Sequence, residues 1–372
     1  MARIALDARF YRAGTGGIGR YSRNLLGELL KIDRENHYTA IITPEDEAEF
    51  DLRAPNLDKL VAPIRQYTMA EQTKFLSILN AQKFDLVHFT NFNHPILYRR
   101  PFVVTVHDLI MGLYPTGAQK KSRVRRAAYR WVMNDCKRAR RIIVPSQATR
   151  NDLVTMYKFP YDNMAVTPEA SEPLFREHTE REKLAIKERL GLPKKYLLFV
   201  SRWEAYKGLP VLLEAYRQLT RQWPDLGLVI CGKPSAQNPE VALLVEAAQS
   251  NNSKIVTPGF VSDEDLAAVY AAAEIYVHPS SYEGFGIMIL EAFASGVPVV
   301  TSNTSSLPEV VGNAGLLVDP KNPDELTNAV EKILTDKKMA DDLRAKGFER
   351  VKQYSWAKMA AQTLEIYKEV LG

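Results

Sequence analysis

Two acidic residues flank a glycine-containing turn in the second half of the chain. Glu283 opens the run EGFG, which ends at Gly286, and Glu291 follows eight residues after Glu283. Apolar residues over 287–295 predict a helix whose N-terminal N–H groups and dipole suit a phosphate. The two acids suit either general acid–base chemistry or hydrogen bonds from vicinal hydroxyls of a sugar or ribose. Their place on either side of a phosphate cradle favours a nucleotide-sugar; a tight turn that merely accommodates glycine is the alternative.

Two cations follow a predicted strand in the same half. Arg202 and Lys207 lie just after the apolar run 197–200. Ligands bind at the carboxyl ends of strands in open α/β sheets, so these side chains are placed to neutralise a diphosphate. They would also stabilise the charge that grows on a departing diphosphate. Surface ion pairing with Glu204 is the alternative.

A second glycine loop lies near the N-terminus. Gly14, Gly16 and Gly19 match G-x-G-x-x-G, the spacing of dinucleotide-binding loops. Phe10–Ala13 separate the first of these glycines from the preceding strand, which that fingerprint does not allow. We therefore expect Gly16 and Gly17, just before a predicted helix, to bring backbone N–H groups close to an anion. A flexible turn is the alternative.

The remaining chemical candidate in the first half is His107. It follows the predicted strand 102–106, again at a carboxyl end, where it could hydrogen-bond a substrate hydroxyl. A structural histidine is the alternative. Asp263 and Asp265 match the metal-associated pattern D-x-D, but Ser262 before them predicts a helix cap with acids in its first turn. We therefore expect no metal site.

Alternating strands and helices must position these residues. Several predicted strands are apolar nearly throughout, which is typical of parallel sheets covered by helices on both faces. The alternation predicts the α/β class. The strands are expected at 4–9, 38–43, 86–89, 102–106, 142–145, 197–200, 228–231, 254–257, 275–278, 297–301 and 315–318.

The 372 residues suggest more than one domain. The alternation breaks at 167–179, where Pro168, Pro173 and several acids predict a linker. We expect an N-terminal domain over 1–168, a C-terminal domain over 175–355 and a helical tail over 356–372.

Composition restricts the function classes. Two cysteines, Cys136 and Cys231, argue against a disulfide scaffold or a Cys-rich metal cluster. No signal peptide or apolar run of about 18 residues is present, so we expect a cytoplasmic protein.

One segment concentrates positive charge. The net charge is +5, and the segment Lys120–Arg141 holds ten Lys or Arg and one acid. Val124, Ala127, Ala128, Trp131 and Val132 have helical spacing and predict one apolar face on an otherwise basic helix. Two interpretations stay open: a solvated helix packed on a core, or a surface for anionic lipid headgroups or a phosphorylated substrate. Nucleic acid is not expected, because no recognition motif accompanies the charge.

The chain resembles the retaining glycosyltransferases of family four, the glycosyl transferases group 1. The resemblance covers nearly the whole sequence and is most specific in its second half. It is carried by GGIGRYSRNLL at 16–26, VHDL at 106–109, RRIIVPSQATRNDLV at 140–154, SSYEGFGIMILEAFASGVP at 280–298, SNTSSLPEVV at 302–311 and GLLVDP at 315–320.

The resemblance implies a GT-B fold: two Rossmann-like domains facing a central cleft, with a C-terminal helix crossing back to the first domain. It implies an acceptor-binding first domain and a donor-binding second domain. It also implies roles for individual residues. Glu291 would hold the ribose, and Glu283, together with the backbone of Gly284, Phe285 and Gly286, would contact the transferred sugar. Arg202 and Lys207 would clamp the diphosphate. In the first domain, Gly16 and Gly17 would close on the phosphate, and His107 would lie near the reacting sugar.

The expected activity is a metal-independent, retaining transfer of a hexose from a nucleoside diphosphate sugar. Similarity to bacterial polysaccharide enzymes favours mannose from GDP-mannose, followed by glucose or N-acetylglucosamine from UDP-sugars. A lipid-linked or polysaccharide acceptor is expected, with peripheral membrane binding through Lys120–Arg141. Two other classes remain: an NAD(P)-dependent oxidoreductase using the Gly14–Gly19 loop, and a non-catalytic nucleotide-sugar-binding scaffold.

Overall fold

Two fully parallel sheets organise the chain, as the α/β prediction requires. A computed structural model describes residues 1–12, 16–116, 120, 122–259 and 261–372. The first sheet has the order β3-β2-β1-β4-β5-β6-β7, and the second has the order β10-β9-β8-β11-β12-β13. The strands are β1 Arg3–Asp7, β2 His37–Ile42, β3 Leu57–Val61, β4 Leu86–Phe89, β5 Phe102–Thr105, β6 Arg141–Val144, β7 Met164–Val166, β8 Lys195–Val200, β9 Leu226–Cys231, β10 Ile255–Val256, β11 Ile275–His278, β12 Val299–Ser302 and β13 Gly315–Val318.

Helices connect most of these parallel strands, as parallel pairing demands. The α-helices of the described chain are α1 Gly17–Ile32, α2 Leu76–Gln82, α3 Ile110–Leu113, α4 Arg123–Asp135, α5 Gln147–Tyr157, α6 Glu180–Leu190, α7 Leu209–Leu219, α8 Pro239–Asn251, α9 Asp263–Ala271, α10 Ile287–Ala294, α11 Leu307–Val311, α12 Pro323–Thr335, α13 Lys337–Val351 and α14 Trp356–Leu371. A π-helical segment, Glu71–Phe75, precedes α2, and short 3₁₀ turns span Cys136–Arg138, Tyr161–Asn163 and Ala205–Lys207.

The chain divides into two compact α/β units, each built on one sheet. The first unit comprises Met1–Leu113, Ser122–Glu169 and Ser355–Gly372, and the second comprises Tyr114–Lys121 and Ala170–Tyr354. In the first unit, α14 packs against α1. In the second, apolar side chains from β8, β9 and α7 form a buried core that includes Phe199, Leu212 and Ile230.

Two strands of the first sheet were not predicted from the sequence. Strand β3 lies at one edge of the sheet, and its Asp58 and Lys59 interrupt the apolar pattern. Strand β7, at the opposite edge, has three residues. Edge strands are buried less completely than central ones, so their sequences carry a weaker hydrophobic signal.

Helix α4 does not pack through the apolar face identified in the sequence. Val124 is 78% exposed and Trp131 is 65% exposed, whereas Tyr129 and Met133 are the buried residues of the helix. The apolar face inferred from the sequence is therefore open to solvent rather than packed on a core.

Candidate functional site

The central feature of the second unit is a buried ion pair at the carboxyl edge of its sheet. The Nζ atom of Lys207, beyond β8, lies 2.7 and 2.8 Å from the two carboxylate oxygens of Glu283, beyond β11. Lys207 is 7% exposed and Glu283 is 6% exposed. The sequence singled out both residues but did not predict that they bind each other.

The pair is ionised. Burial alone raises the pKa of Glu283, but the charge of Lys207 and the hydrogen bond from His278 outweigh it and lower the pKa to about 2. Burial lowers the pKa of Lys207, and the Glu283 charge more than reverses this, so its pKa is raised. A carboxyl group with so low a pKa carries no proton near neutral pH. It can accept hydrogen bonds from hydroxyls but cannot act there as a general acid.

Gly208 allows Lys207 to reach this position. Its φ of 78° lies in the left-handed region, and a Cβ there would lie 1.9 Å from the carbonyl oxygen of Pro279. Any larger residue would push the turn at 205–208 away from the end of β11. The sequence analysis did not identify this glycine.

Arg202 lies on the same side of the sheet, at the surface. Its side chain is exposed, and its positive charge acts on Lys207, whose pKa it lowers slightly against the stronger effect of Glu283. Within the described chain its guanidinium makes no salt bridge. The carboxylate of Glu204 instead accepts hydrogen bonds from Ser235 at 2.8 Å and Asn238 at 2.5 Å. Glu204 is therefore engaged elsewhere, and the guanidinium of Arg202 is accessible to an anion.

Hydroxyl side chains fix the loop that carries Glu283. Ser306 donates to the carbonyls of Glu283 at 2.9 Å and Phe285 at 2.7 Å, and Thr304 donates to that of Ser281 at 3.1 Å. Ser305 accepts from the Glu283 N–H at 3.0 Å, with its own φ at 54°. The segment 302–311 carried part of the family resemblance, and its hydroxyls now have a physical role.

Helix α10 begins directly after this loop. Gly286, at φ 110°, caps it without a side-chain hydrogen bond. The first N–H groups of a helix lack intrahelical acceptors, and the dipole makes this end attractive to a phosphate. Gly284, Phe285 and Gly286 thus lead into a helix terminus that suits an anion.

Glu291 lies farther along α10 and is 2% exposed. Burial raises the pKa of Tyr276 well above its usual value, and the nearby charge of Glu291 raises it further. The expected contact of Glu291 with the ribose stays a prediction.

The first unit holds the other predicted residues. Gly16, at φ 71°, is followed by Gly17, the first residue of α1. A Cβ on either would meet no atom of the described residues within 4 Å. Gly14 lies outside the described residues. Strand β1 ends at Asp7, so G-x-G-x-x-G does not start at a strand end as a dinucleotide fingerprint would.

His107 is buried beyond the end of β5. Its Nδ1 lies 2.9 Å from Oε1 of Glu169, and its Nε2 lies 2.8 Å from the carbonyl oxygen of Thr90. Burial lowers the pKa of His107, but the Glu169 carboxylate and the Thr90 carbonyl more than compensate, so it is raised. Both nitrogens thus serve protein acceptors, and a bond from either one to a substrate hydroxyl would have to replace one of these. Glu169 was not identified from the sequence.

The structure thus gathers the predicted residues into two groups. Arg202, Lys207, Glu283, Glu291 and the 284–286 backbone share one edge of the second unit, whereas Gly16, Gly17 and His107 belong to the first. Among the described residues, no three or more His, Cys, Asp and Glu side chains are grouped to hold a metal ion. Within the same residues, no helix is long and apolar enough to cross a membrane.

Family models match both halves of the chain. Residues 15–173 match the model described as Glycosyltransferase Family 4, and residues 180–350 match Glycosyl transferases group 1. The chain is 32% identical to the O-antigen chain mannosyltransferase B of Escherichia coli, covering 95% of this chain and 96% of that protein. It is 30% identical to the D-inositol 3-phosphate glycosyltransferase of Corynebacterium diphtheriae, covering 73% of this chain and 66% of the other.

Solved structures share the fold. Sucrose-phosphate synthase from Thermosynechococcus elongatus superimposes with a TM-score of 0.80 at 24% identity, covering 100% of this chain and 99% of the other. HepE from Anabaena, in complex with UDP-glucose, gives a TM-score of 0.76 at 17% identity, covering 99% of this chain and 100% of the other. With two Rossmann-like units and matches over both halves, the chain belongs to the family 4 glycosyltransferases of GT-B fold.

Proposed function

We propose that the protein transfers a hexose, with mannose favoured, from a nucleoside diphosphate sugar to a lipid-linked or polysaccharide acceptor, with retention of configuration. The binding of the sugar donor in this proposal is supported by the arrangement of charged groups in the second unit. There an accessible Arg202, a buried Lys207–Glu283 pair and the start of α10 share one edge of a sheet. Cations and a helix terminus suit a diphosphate, and a carboxylate beside them suits sugar hydroxyls.

Each group has a distinct task in this proposal. Arg202, Lys207 and the helix start stabilise the diphosphate as it leaves. Glu283, ionised at neutral pH, accepts hydrogen bonds from the transferred sugar, and Glu291 holds the ribose. The leaving diphosphate takes the acceptor's proton on the same face, so the reaction needs no protein nucleophile and no metal. Loss of one such electrostatic donor costs about 2.7–4 kcal/mol of transition-state stabilisation in other enzymes.

The first unit would receive the acceptor. Gly16 and Gly17 would approach the donor phosphate, and His107 would lie near the reacting sugar. GDP-mannose is the favoured donor because the Escherichia coli relative is named a mannosyltransferase. UDP-sugars come next, since the related HepE structure contains UDP-glucose.

Ligand-dependent stability tests the donor. Thermal unfolding is followed with GDP, UDP, ADP and their sugars, because a bound ligand raises the midpoint. We expect GDP and GDP-mannose to stabilise the protein most, and Arg202→Ala to abolish the effect. The control is Arg217→Ala, which removes another exposed arginine of the same unit, paired with Glu214 on α7.

If no nucleotide binds below millimolar concentration, the proposed donor site is wrong. Turnover excludes the scaffold alternative, and the anomeric NMR signal of the product reports retention.

The exposed face of α4 supports membrane binding at the inner face of the cytoplasmic membrane. Val124 and Trp131 are exposed beside Arg123, Arg125 and Arg130, all exposed as well. Apolar side chains bordered by arginines are typical of helices lying in an anionic membrane interface. Each basic residue near such a surface contributes about 1 kcal/mol.

Vesicle sedimentation tests this binding. We expect the protein to sediment with vesicles containing anionic lipid and not with purely zwitterionic vesicles. Trp131→Ser should weaken the binding, whereas Leu243→Ser, which removes a 64% exposed apolar side chain from α8, should not. Equal sedimentation with both lipid compositions would refute the proposal.

A further inference from the structure

His278 is a fully buried imidazole that the proposed reaction leaves unused. It is the last residue of β11 and has no exposed surface. Its ring stacks against Phe199, with centroids 6.0 Å apart, and against Tyr276, with centroids 5.9 Å apart. The two aromatic rings fix the plane of the imidazole, so its nitrogens point in defined directions.

Both ring nitrogens have defined contacts. Nε2 lies 2.8 Å from Oε1 of Glu283, and a carboxylate can only accept, so Nε2 carries a hydrogen. Nδ1 lies 3.2 Å from the hydroxyl of Tyr276. The ring held in this way donates a hydrogen bond from Nε2 to Glu283, and the Tyr276 hydroxyl fixes the position of the other nitrogen.

The carboxylate of Glu283 therefore has two side-chain donors with different geometry. Lys207 contacts both oxygens, at 2.7 and 2.8 Å, whereas His278 contacts Oε1. In the proposed function, Lys207 must also serve the diphosphate, so its three N–H donors are shared between the diphosphate and Glu283. Among the described residues, His278 is the partner of the carboxylate for which the diphosphate does not compete. It leaves Oε2 open to a hydroxyl.

We propose that His278 is a positioning residue: it holds Oε1 of Glu283 while Lys207 turns to the diphosphate, so that Oε2 faces the hydroxyls of the transferred sugar. The inference rests on the proposed function and deepens it. It separates diphosphate binding, which depends on Arg202, Lys207 and α10, from sugar positioning, which depends on His278 and Glu283.

The test compares His278→Leu with His278→Gln. Both side chains fit a similar volume, but glutamine retains an N–H near the place of Nε2 and leucine does not. The measurements are kcat and KM for the donor sugar, and the Kd of the nucleoside diphosphate without sugar. We expect His278→Leu to lower kcat by about 10–100-fold, the size of outer-shell effects on ligating groups in other sites. The Kd of the free diphosphate should stay unchanged, and His278→Gln should recover most of kcat.

Three results would overturn the proposal. They are an unchanged kcat in His278→Leu, an equal loss in the leucine and glutamine variants, and a parallel loss of diphosphate affinity, which would indicate a purely structural residue. If His278→Leu does not fold, Tyr276→Phe takes its place. Loss of the hydroxyl removes the contact at Nδ1 that holds the ring in position, so kcat should fall with the Kd unchanged.

Glu283→Gln separates this inference from the proposed function. If wild-type protein transfers sugar and Glu283→Gln does not, but His278→Leu behaves as wild type, the role of His278 alone is wrong. If wild-type protein transfers no sugar from any of the donors, the proposed function fails as well.

Discussion

Buried charges in this protein are stabilised by directed hydrogen bonds rather than by an opposite charge alone. His107 shows this at the scale of one residue: its two nitrogens face a carboxylate and a carbonyl, both of which only accept. The arrangement favours the imidazolium form and raises the pKa of His107, although burial opposes it. Both Glu169 and Thr90 therefore bind the charged ring.

Replacing Glu169 should change how stability depends on pH. A histidine whose pKa is raised on folding contributes stability that is complete below its unfolded value, about 6.5, and is lost as pH rises through the folded value. Glu169→Gln keeps an oxygen near Nδ1 but removes the charge. We expect the variant to be less stable by about 1–3 kcal/mol at about pH 6, with a smaller difference at higher pH. Urea unfolding across a pH series measures this.

The control is Glu35→Gln, which removes an exposed carboxylate from the same unit. It should leave the pH profile unchanged. A Glu169→Gln profile parallel to that of the wild type at all pH values would show that His107 is not charged in the folded protein.

The sequence identified some of these residues because of where they stand in the chain. Arg202, Lys207 and His107 each follow a strand, and the carboxyl ends of parallel strands share one edge. Glu169 gave no such signal, since 62 residues separate it from His107 and only the folded chain brings them together. His278 was assigned to its strand, but the direction of its nitrogens depends on packing between aromatic rings.

At the scale of elements, short turns decide where the charged groups lie. The turn at 205–208 is restricted at Gly208 by two separate conditions: a positive φ and the close approach of the Pro279 backbone, directly after β11. A left-handed residue with a side chain costs about 1–2 kcal/mol. A steric overlap adds to this cost, because protein interiors are close-packed.

Gly208→Ala should therefore disrupt the donor site more than an ordinary glycine substitution. We expect a loss of stability above about 2 kcal/mol and a loss of nucleoside diphosphate affinity of about tenfold or more, which corresponds to 1.4 kcal/mol. Urea unfolding and calorimetric titration measure the two effects. Gly191→Ala is the matched control, since its φ is 62° but a Cβ there would meet no atom of the described residues within 4 Å. Equal losses of stability and of nucleoside diphosphate affinity in the two variants would show that the close approach of Gly208 to Pro279 affects neither quantity.

Element boundaries were largely predictable because the buried strands are continuously apolar. Every predicted strand is present, and the helical tail predicted over 356–372 is α14. The polar edge strand β3 and the short β7 were not predicted, and the sequence left open whether the apolar face of α4 is covered. Helical spacing shows that a face exists but not whether another element covers it, and on α4 the covered side chains are Tyr129 and Met133.

At the scale of the whole molecule, the last helix completes the first unit. Tyr367 on α14 is buried, and its hydroxyl lies 2.5 Å from Nδ1 of His88 on β4. Burial, together with the charge of His107, lowers the pKa of His88 to about 3, so the ring is neutral at physiological pH. Nε2 of His88 meets the hydroxyl of Thr105, which leaves both nitrogens satisfied.

Two units with separate cores should unfold in two steps. Tyr367→Phe leaves one nitrogen of His88 without its partner, and we expect a cost of about 1–3 kcal/mol confined to the first unit. In calorimetry, the variant should lower the midpoint temperature of the transition of the first unit, and a bound nucleoside diphosphate should raise that of the second. Tyr354→Phe, which alters a half-buried tyrosine of the second unit, serves as the comparison. One transition that moves with both changes would show that the units unfold together.

The interrupted first unit has a consequence for biosynthesis. Its sheet is encoded before residue 170, whereas the helix that covers α1 is encoded after residue 354. A ribosome therefore releases nearly all of the second unit before the first can be finished, and until then the surface of α1 that α14 covers has no partner. The half of the protein that is made first is therefore the half whose packing is completed last.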